Sequence, residues 1–238
     1  MKPSQTIIQA LAALRDEEKA IFLQRFFKTG PGQYAEGDVF WGIVLPEQRK
    51  VVKQFWKACG AEDIAELLNH PAHEVRMTGA LILVQKTQKS SSEDEIEQWA
   101  QVYLDNKAGI NNWDLVDNSA HHVLGRWLYK KSDRSILQTL SESLSLWDNR
   151  ISILTTFYFL KKGDFEDTFY LSKKMLHHPH DLMHKAIGWM IREVGKRDCE
   201  AAYSFLAKHY STMPRTMLRY AIERFDEPLR KDFLEGRV

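Results

Sequence analysis

The chain has 238 residues, 44% of them hydrophobic, and a formal charge of +1. That length suits either one large core or one elongated array of stacked elements. The near-neutral balance excludes a general polyanion coat, so any nucleic acid must be met by a local patch. Residues 1–110 carry 13 Lys and Arg against 15 Asp and Glu, and the remainder 20 against 17, an asymmetry that permits a basic face in the second half. Seven Trp, eight Tyr and twelve Phe supply rings enough for a core and a groove. Cys59 and Cys199 stand far apart in dissimilar contexts, which gives no disulfide framework and no thiolate metal site. No targeting segment is legible after Met1, and no long uncharged apolar run occurs, so a soluble cytoplasmic protein is expected.

Almost every segment reads as helix. Residues 7–20 form the first, and the Gly- and Pro-rich stretch from Thr29 to Gly42 reads as a loop held down by Tyr34, Phe40 and Trp41. Residues 46–56 form the clearest early helix, with Pro46 at a favoured start and Val51, Val52, Phe55 and Trp56 on one stripe; it should end near Gly60. Beyond it the chain repeats. Val75-Arg76, Asn149-Arg150, His184-Lys185 and Leu218-Arg219 each precede an apolar helical run. Arg76 and Arg150 are 74 residues apart, Lys185 follows 35 later and Arg219 another 34. The segment from Trp113 to Trp127 fills the unit between the first two. Turn signals at His70-Pro71, Ser90–Glu93, Lys107–Asn112, Lys161–Asp164, His177–His180 and Ser211–Pro214 separate helix-sized segments. Phe157-Tyr158-Phe159 is strand-like in composition but continues the helix that starts near Asn149. A period of roughly 34 to 41 residues of paired helices predicts an all-α, HEAT-like repeat solenoid. The expectation is a single domain over residues 1–238, with irregular helices to residue 60 and repeat helices from 61. The second helix of each pair would line a concave face.

The stretch Asn111-Asn112-Trp113-Asp114-Leu115-Val116-Asp117 sets Trp113 and Asp117 on one helical face, one turn apart. An aromatic plate beside an anion suits a cationic base, although a first-turn acid and a core tryptophan account for the same residues. Trp189 offers a second aromatic face, and Trp147 a third with a stronger claim to packing. Arg150 suits a phosphate clamp, and equally a repeat residue paired with Asp114, Asp148 or a neighbouring acid. Lys185, Arg192, Arg215 and Arg219 are further candidates for backbone contact. His177, His178, His180 and His184 cluster without a Cys partner, so no metal site is expected. No nucleophilic triad and no glycine-rich nucleotide cradle is present.

Together with the repeat, the segments Trp113–Asp117, Trp147-Asp148-Asn149-Arg150 and Lys185–Glu193 resemble the AlkD-type DNA alkylation repair family of monofunctional DNA glycosylases. Phe40-Trp41-Gly42-Ile43, followed by Pro46 and Arg49, and the late segment Met213–Glu223 extend the resemblance over nearly the whole chain. It implies a concave DNA-binding face and excision of 3-methyladenine and 7-methylguanine from duplex DNA, by a monomer without metal or organic cofactor. Asp117 matches the family's catalytic aspartate, Trp113 the aromatic one turn before it, Arg150 the arginine on the next inner helix and Trp189 the second active-site tryptophan. Trp147, Lys185, Arg192, Arg215 and Arg219 are assigned to DNA contact. Asp181 and Leu182 depart from the aromatic residues that some relatives carry before the second tryptophan. The alternative activity is a non-catalytic scaffold that binds DNA or protein.

Overall fold

The computed structural model describes residues 1–238. Its regular structure is helical throughout, fifteen α-helices with two short 3-10 turns and no strand. The single β-bridge joins Val39 to Ala72. The chain divides into two compact units, Met1–Trp127 and Leu128–Val238.

The first unit holds α1 (Pro3–Ala12), α2 (Glu17–Gln24), α3 (Leu45–Phe55), α4 (Ala61–Leu68), α5 (His73–Lys89), α6 (Glu93–Asp105) and α7, which runs from Trp113 to Leu128 at the unit's edge. Its spine is α5, where thirteen of seventeen residues are buried, so this helix is enclosed on every side rather than on one stripe. α3, α4 and α6 pack around α5.

The expected helix over 7–20 is two helices. Asp16 caps α2 by accepting a hydrogen bond from the Lys19 amide at 3.0 Å, while its own amide donates to the Trp41 carbonyl at 2.9 Å. That second bond reaches across 25 residues and leaves no local signature in the sequence. Trp41 in turn belongs to a segment held by Glu74. The buried Glu74 carboxylate accepts from the backbone amides of Trp41, Gly42 and Ile43 at 2.8 to 3.2 Å. Gly42 has φ +78°, and a Cβ there would fall 2.0 Å from the Asp16 carbonyl oxygen. The loop from Thr29 to Gly42 is therefore pinned at its far end, as its aromatics suggest.

The second unit holds α8 (Ser135–Ser141), α9 (Leu146–Thr155), α10 (Phe157–Leu160), α11 (Glu166–Lys174), α12 (Asp181–Gly195), α13 (Cys199–His209), α14 (Arg215–Ala221) and α15 (Glu227–Glu235). Phe157-Tyr158-Phe159 is helical, offset from α9 by a break at Thr156. α12 is the centre of this unit and packs against α9, α11, α13 and α14.

The expected register holds within both units. The pairs are α4 with α5, α6 with α7, α8 with α9, α11 with α12, and α13 with α14. Arg76, Trp113, Arg150, Lys185, Trp189 and Arg219 all lie on the second helix of a pair. No helix is long and apolar enough to cross a membrane.

At Gly188 the backbone of α12 meets α14 so closely that a Cβ would lie 2.5 Å from the Met217 carbonyl oxygen and 2.6 Å from the Tyr220 Cβ. Because backbone on the facing helix cannot step aside cheaply, Gly188→Ala should destabilise the protein by about 1 to 3 kcal/mol. Urea denaturation checks this, and an unchanged midpoint would mean that α14 can retreat without loss.

Candidate functional site

The first turn of α7 is fixed by a buried polar cluster. Asn112, fully buried, caps the helix: its side-chain oxygen accepts from the Trp113 amide at 2.9 Å and its carbonyl from the Val116 amide at 3.1 Å. The Asn112 amide group donates to Asp38 at 2.9 Å. The other Asp38 oxygen takes the Arg76 guanidinium, which also donates to the carbonyls of Gly109, His70 and Pro71. His73, only 3% exposed, lies between two carboxylates, with Nε2 2.8 Å from Asp114 and Nδ1 3.3 Å from Asp38.

The charges follow from these contacts. Burial alone would pull the imidazole towards neutrality, but the hydrogen bonds to Asp114 and Asp38 outweigh it and push its pKa up to about 9. Burial likewise disfavours the Asp38 anion, yet His73, Arg76 and Asn112 hold its carboxyl below the usual range. His73 is thus an imidazolium donating from both ring nitrogens.

Aromatic rings cover this cluster. Phe40 stacks on His73 with centroids 4.7 Å apart, Phe27 stacks on Phe40 at 4.8 Å, and Trp113 stacks on Phe27 at 5.3 Å. The rings wall a mostly apolar cleft of about 310 Å³, completed by Leu23, Ile43 and Val44, with Asp114 and Asn118 among its polar groups. Trp113 and Asp117 are both half-buried on α7.

In the second unit, Arg150 on α9 is 4% exposed and donates to the Leu182 carbonyl at 2.6 Å. Its neighbour Asn149 donates to three carbonyls, of Leu140, Ser141 and Ser143, and its oxygen meets His178 Nε2 at 3.0 Å. Trp147 and Trp189 are half-buried, and the Trp189 indole donates to Glu193 at 3.3 Å and packs beside Phe157. Burial would raise the Glu193 pKa, but Lys196, Arg197 and Trp189 hold it low. Lys185 pairs with Asp181 at 2.7 Å, and Arg192 with Glu223. Arg215 and Arg219 are exposed on α14.

Within the first unit, the structure therefore brings Trp113 and Asp117 onto one half-buried face of α7. In the second it sets Arg150 in the α9–α12 seam, places Trp189 on α12, and leaves two of the basic candidates in solvent. The histidine cluster is a helix-start device. His178 Nδ1 accepts from the His180 amide, His180 Nδ1 from the Leu182 amide, and His184 Nε2 meets the His178 carbonyl. No group of three His, Cys, Asp or Glu side chains is placed to hold a metal ion. Cys59 and Cys199 are both free thiols, and burial pushes Cys59 up to about 11.

Sequence reading missed Asp38, His73 and Phe27, and gave Phe40 only the role of packing its loop. The partners of His73 lie 35 and 41 residues away, so no local spacing marks them. The one available signal was the gathering of His73, Glu74 and Arg76 at the start of a helix whose middle, residues 79–84, is apolar.

A chain built of successive helical pairs defines an all-α helical-repeat protein. The profile of the DNA alkylation repair enzyme family matches residues 7–225, and the chain belongs to that family. Among solved structures the fold is similar to one described as a predicted DNA alkylation repair enzyme from Enterococcus faecalis. The TM-score is 0.70 at 16% identity, covering 90% of this chain and 97% of that one. Among curated proteins no relative matches the sequence.

The His73 charge links stability to pH. Its folded pKa of about 9 exceeds the ordinary imidazole value, so its contribution is complete below about pH 6.5 and is lost as pH rises through about 9. Asp38, lowered, acts at the other end, and its contribution is lost as pH falls through the carboxylate range. His73→Gln should cost on the order of 2 to 3 kcal/mol at pH 6, with the gap to the parent closing towards pH 10. Melting curves across that range check this; a gap independent of pH would remove the imidazolium.

Proposed function

We propose that this protein is a monofunctional DNA glycosylase that hydrolyses the N-glycosidic bond of positively charged alkylated purines, 3-methyladenine and 7-methylguanine, in duplex DNA. The observation that carries this reading is the pairing of Trp113 and Asp117 on the anchored helix α7, in a chain of the DNA alkylation repair enzyme family.

The chemistry suits a cationic leaving group. Water forms the new bond to C1′, the electron pair of the C1′–N bond goes to the base, and that pair cancels the positive charge on the methylated ring. The proton from water passes by way of Asp117 to solvent. As the bond lengthens the sugar becomes oxocarbenium-like, and the Asp117 anion stabilises the charge that develops there while orienting the water. Trp113 offers a π-face to the cationic base, an attraction worth roughly 1 to 2 kcal/mol when partly desolvated. By resemblance Trp189 borders the base and Arg150 holds the phosphate beside the lesion. Methylation has already made the base a good leaving group, so no strong general acid is required, and without a lysine nucleophile no strand cleavage accompanies release.

Trp147 is assigned to DNA contact, and Lys185, Arg192, Arg215 and Arg219 to the DNA backbone. Lys185 and Arg192 approach phosphate as members of ion pairs, so exchanging a carboxylate for a phosphate offsets part of their gain. Arg215 and Arg219 carry no such cost of exchange.

Two measurements test the proposal. Duplex DNA with a single N7-methylguanine should release free base and leave an abasic site, and Asp117→Asn should cut the rate by about 100-fold or more while duplex affinity and melting stay unchanged. A folded parent that binds duplex and releases no base would make the protein a binding module instead. Separately, Arg219→Ala should weaken binding to damaged and undamaged duplex alike and lower the slope of log affinity against log salt by about 1. An unchanged slope would take α14 out of the DNA contact.

A further inference from the structure

One side chain reaches the start of α7 by two routes. The His73 ring bonds Asp114 directly, and through the stack of Phe40 and Phe27 it also abuts the Trp113 indole. Its second nitrogen holds Asp38, which fastens the Asn112 cap of the same helix. Two polar anchors of the first turn of α7, the Asp114 contact and the Asn112 cap, thus converge on this imidazole and on the Asp38 carboxylate.

We infer that His73 is a positioning residue: shared between Asp38 and Asp114, it fixes the first turn of α7 and thereby the placement of Trp113 and Asp117. The inference rests on the glycosylase reading for its consequence in catalysis, but the coupling itself is a property of the fold.

The two carboxylates are not equivalent partners. Asp38 also receives Arg76 and Asn112, whereas the remaining hydrogen bond of the Asp114 carboxylate comes from the adjacent Leu115 amide. A neutral imidazole has one N–H, so one of its nitrogens would turn a lone pair towards a carboxylate. Asp38 is held by its other donors, and Asp114 is the partner that lets go. Trp113 precedes it in the same turn and Asp117 follows one turn later, so loosening Asp114 loosens both.

The charged groups around His73 are of both signs, and the two carboxylates in direct contact outweigh the cations behind them. Asp38 and Asp114 face it, Arg76 sits one turn along α5 on the far side of Asp38, and His70 lies in the preceding turn near Arg76. Glu74, next in sequence, is turned away onto the amides of Trp41, Gly42 and Ile43. The cluster carries one imidazolium and one guanidinium against two carboxylates, and loss of the imidazole proton leaves it a net anion in a buried place.

The test is the single-turnover rate of base release from an N7-methylguanine duplex between pH 6 and 10, for the parent, His73→Gln and Asp114→Asn, with duplex affinity measured beside it. Amide NMR follows residues 112–117 over the same titration. The parent should lose activity as pH passes about 9, together with shifts in those amides. His73→Gln should be roughly ten- to hundredfold slower at pH 7 at unchanged affinity, with no fall between pH 8 and 10. A folded His73→Gln with the parental rate and the parental alkaline fall would overturn the inference. Should that variant fail to fold, Asp114→Asn, which keeps a side-chain acceptor for His73, decides by the same rate and pH profile. If the parent releases no base, the glycosylase reading fails and the NMR titration decides alone: amides 112–117 moving with the His73 proton uphold the coupling, and amides indifferent to it refute it.

Discussion

The buried Asp38 carboxylate is the contact on which the rest of the first unit depends. An ion removed from water is tolerable only when it is fully paired and hydrogen-bonded, and the pairing is directional in a way that apolar packing is not. Asp38 meets that demand with a guanidinium, an imidazolium and a carboxamide. Those donors belong to α5 and to the residue capping α7, while Asp38 itself lies in the loop that follows α2. Three parts of the chain, far apart in sequence, are thereby set in one arrangement. Removing any donor would leave a buried charge short of a partner, so the arrangement resists partial loosening.

Around this cluster the backbone is brought unusually close by glycine and by a second buried acid. Glu74 collects the amides of Trp41, Gly42 and Ile43, groups that a loop crossing the protein would otherwise leave unpaired. Gly42 lets that loop touch the start of α2, and Trp41 takes the Arg15 guanidinium over its ring at 3.6 Å. The consequence is that Phe27 and Phe40 arrive beside Trp113. The aromatic wall of the cleft is therefore set by polar contacts beneath it, not by the rings alone.

How much of this was legible in the sequence depends on the reach of each interaction. Helix pairing was readable because its signals are local: Pro46 at a helix start, and the turns at Ser90–Glu93 and at Lys161–Asp164, where Gly163 takes a positive φ. The recurrence of Arg76, Arg150, Lys185 and Arg219 at matched places gave the register. The break between α1 and α2 was hidden because Asp16 is held by Trp41. His73 looked like an ordinary first-turn residue, because its two acids and its stacking rings all come from elsewhere in the chain. The histidines at 177–184 show the converse. They cluster without a Cys partner, and three of the four, His178, His180 and His184, are engaged locally in starting α12, a use of ring nitrogens that spacing alone does not reveal.

Two of the repeat positions, Arg76 and Arg150, share one mechanical role. Arg76 on α5 donates to the Gly109 carbonyl just ahead of α7, and His73 bonds Asp114 at its start. In the second unit Arg150 on α9 donates to the Leu182 carbonyl in the first turn of α12, and Asn149 meets His178 just before it. In both units the second helix of one pair sends polar side chains to the beginning of the second helix of the next. A carbonyl ahead of a helix has no intrahelical partner, a first-turn carbonyl keeps a second lone pair, and a guanidinium can serve several such acceptors at once. Arg150 is thus a fastening residue in the same sense as Arg76, whatever else its charge does. The charge that ties successive pairs together within each unit is therefore carried by the second helices themselves, so the same helices that recur in the sequence also fasten one another.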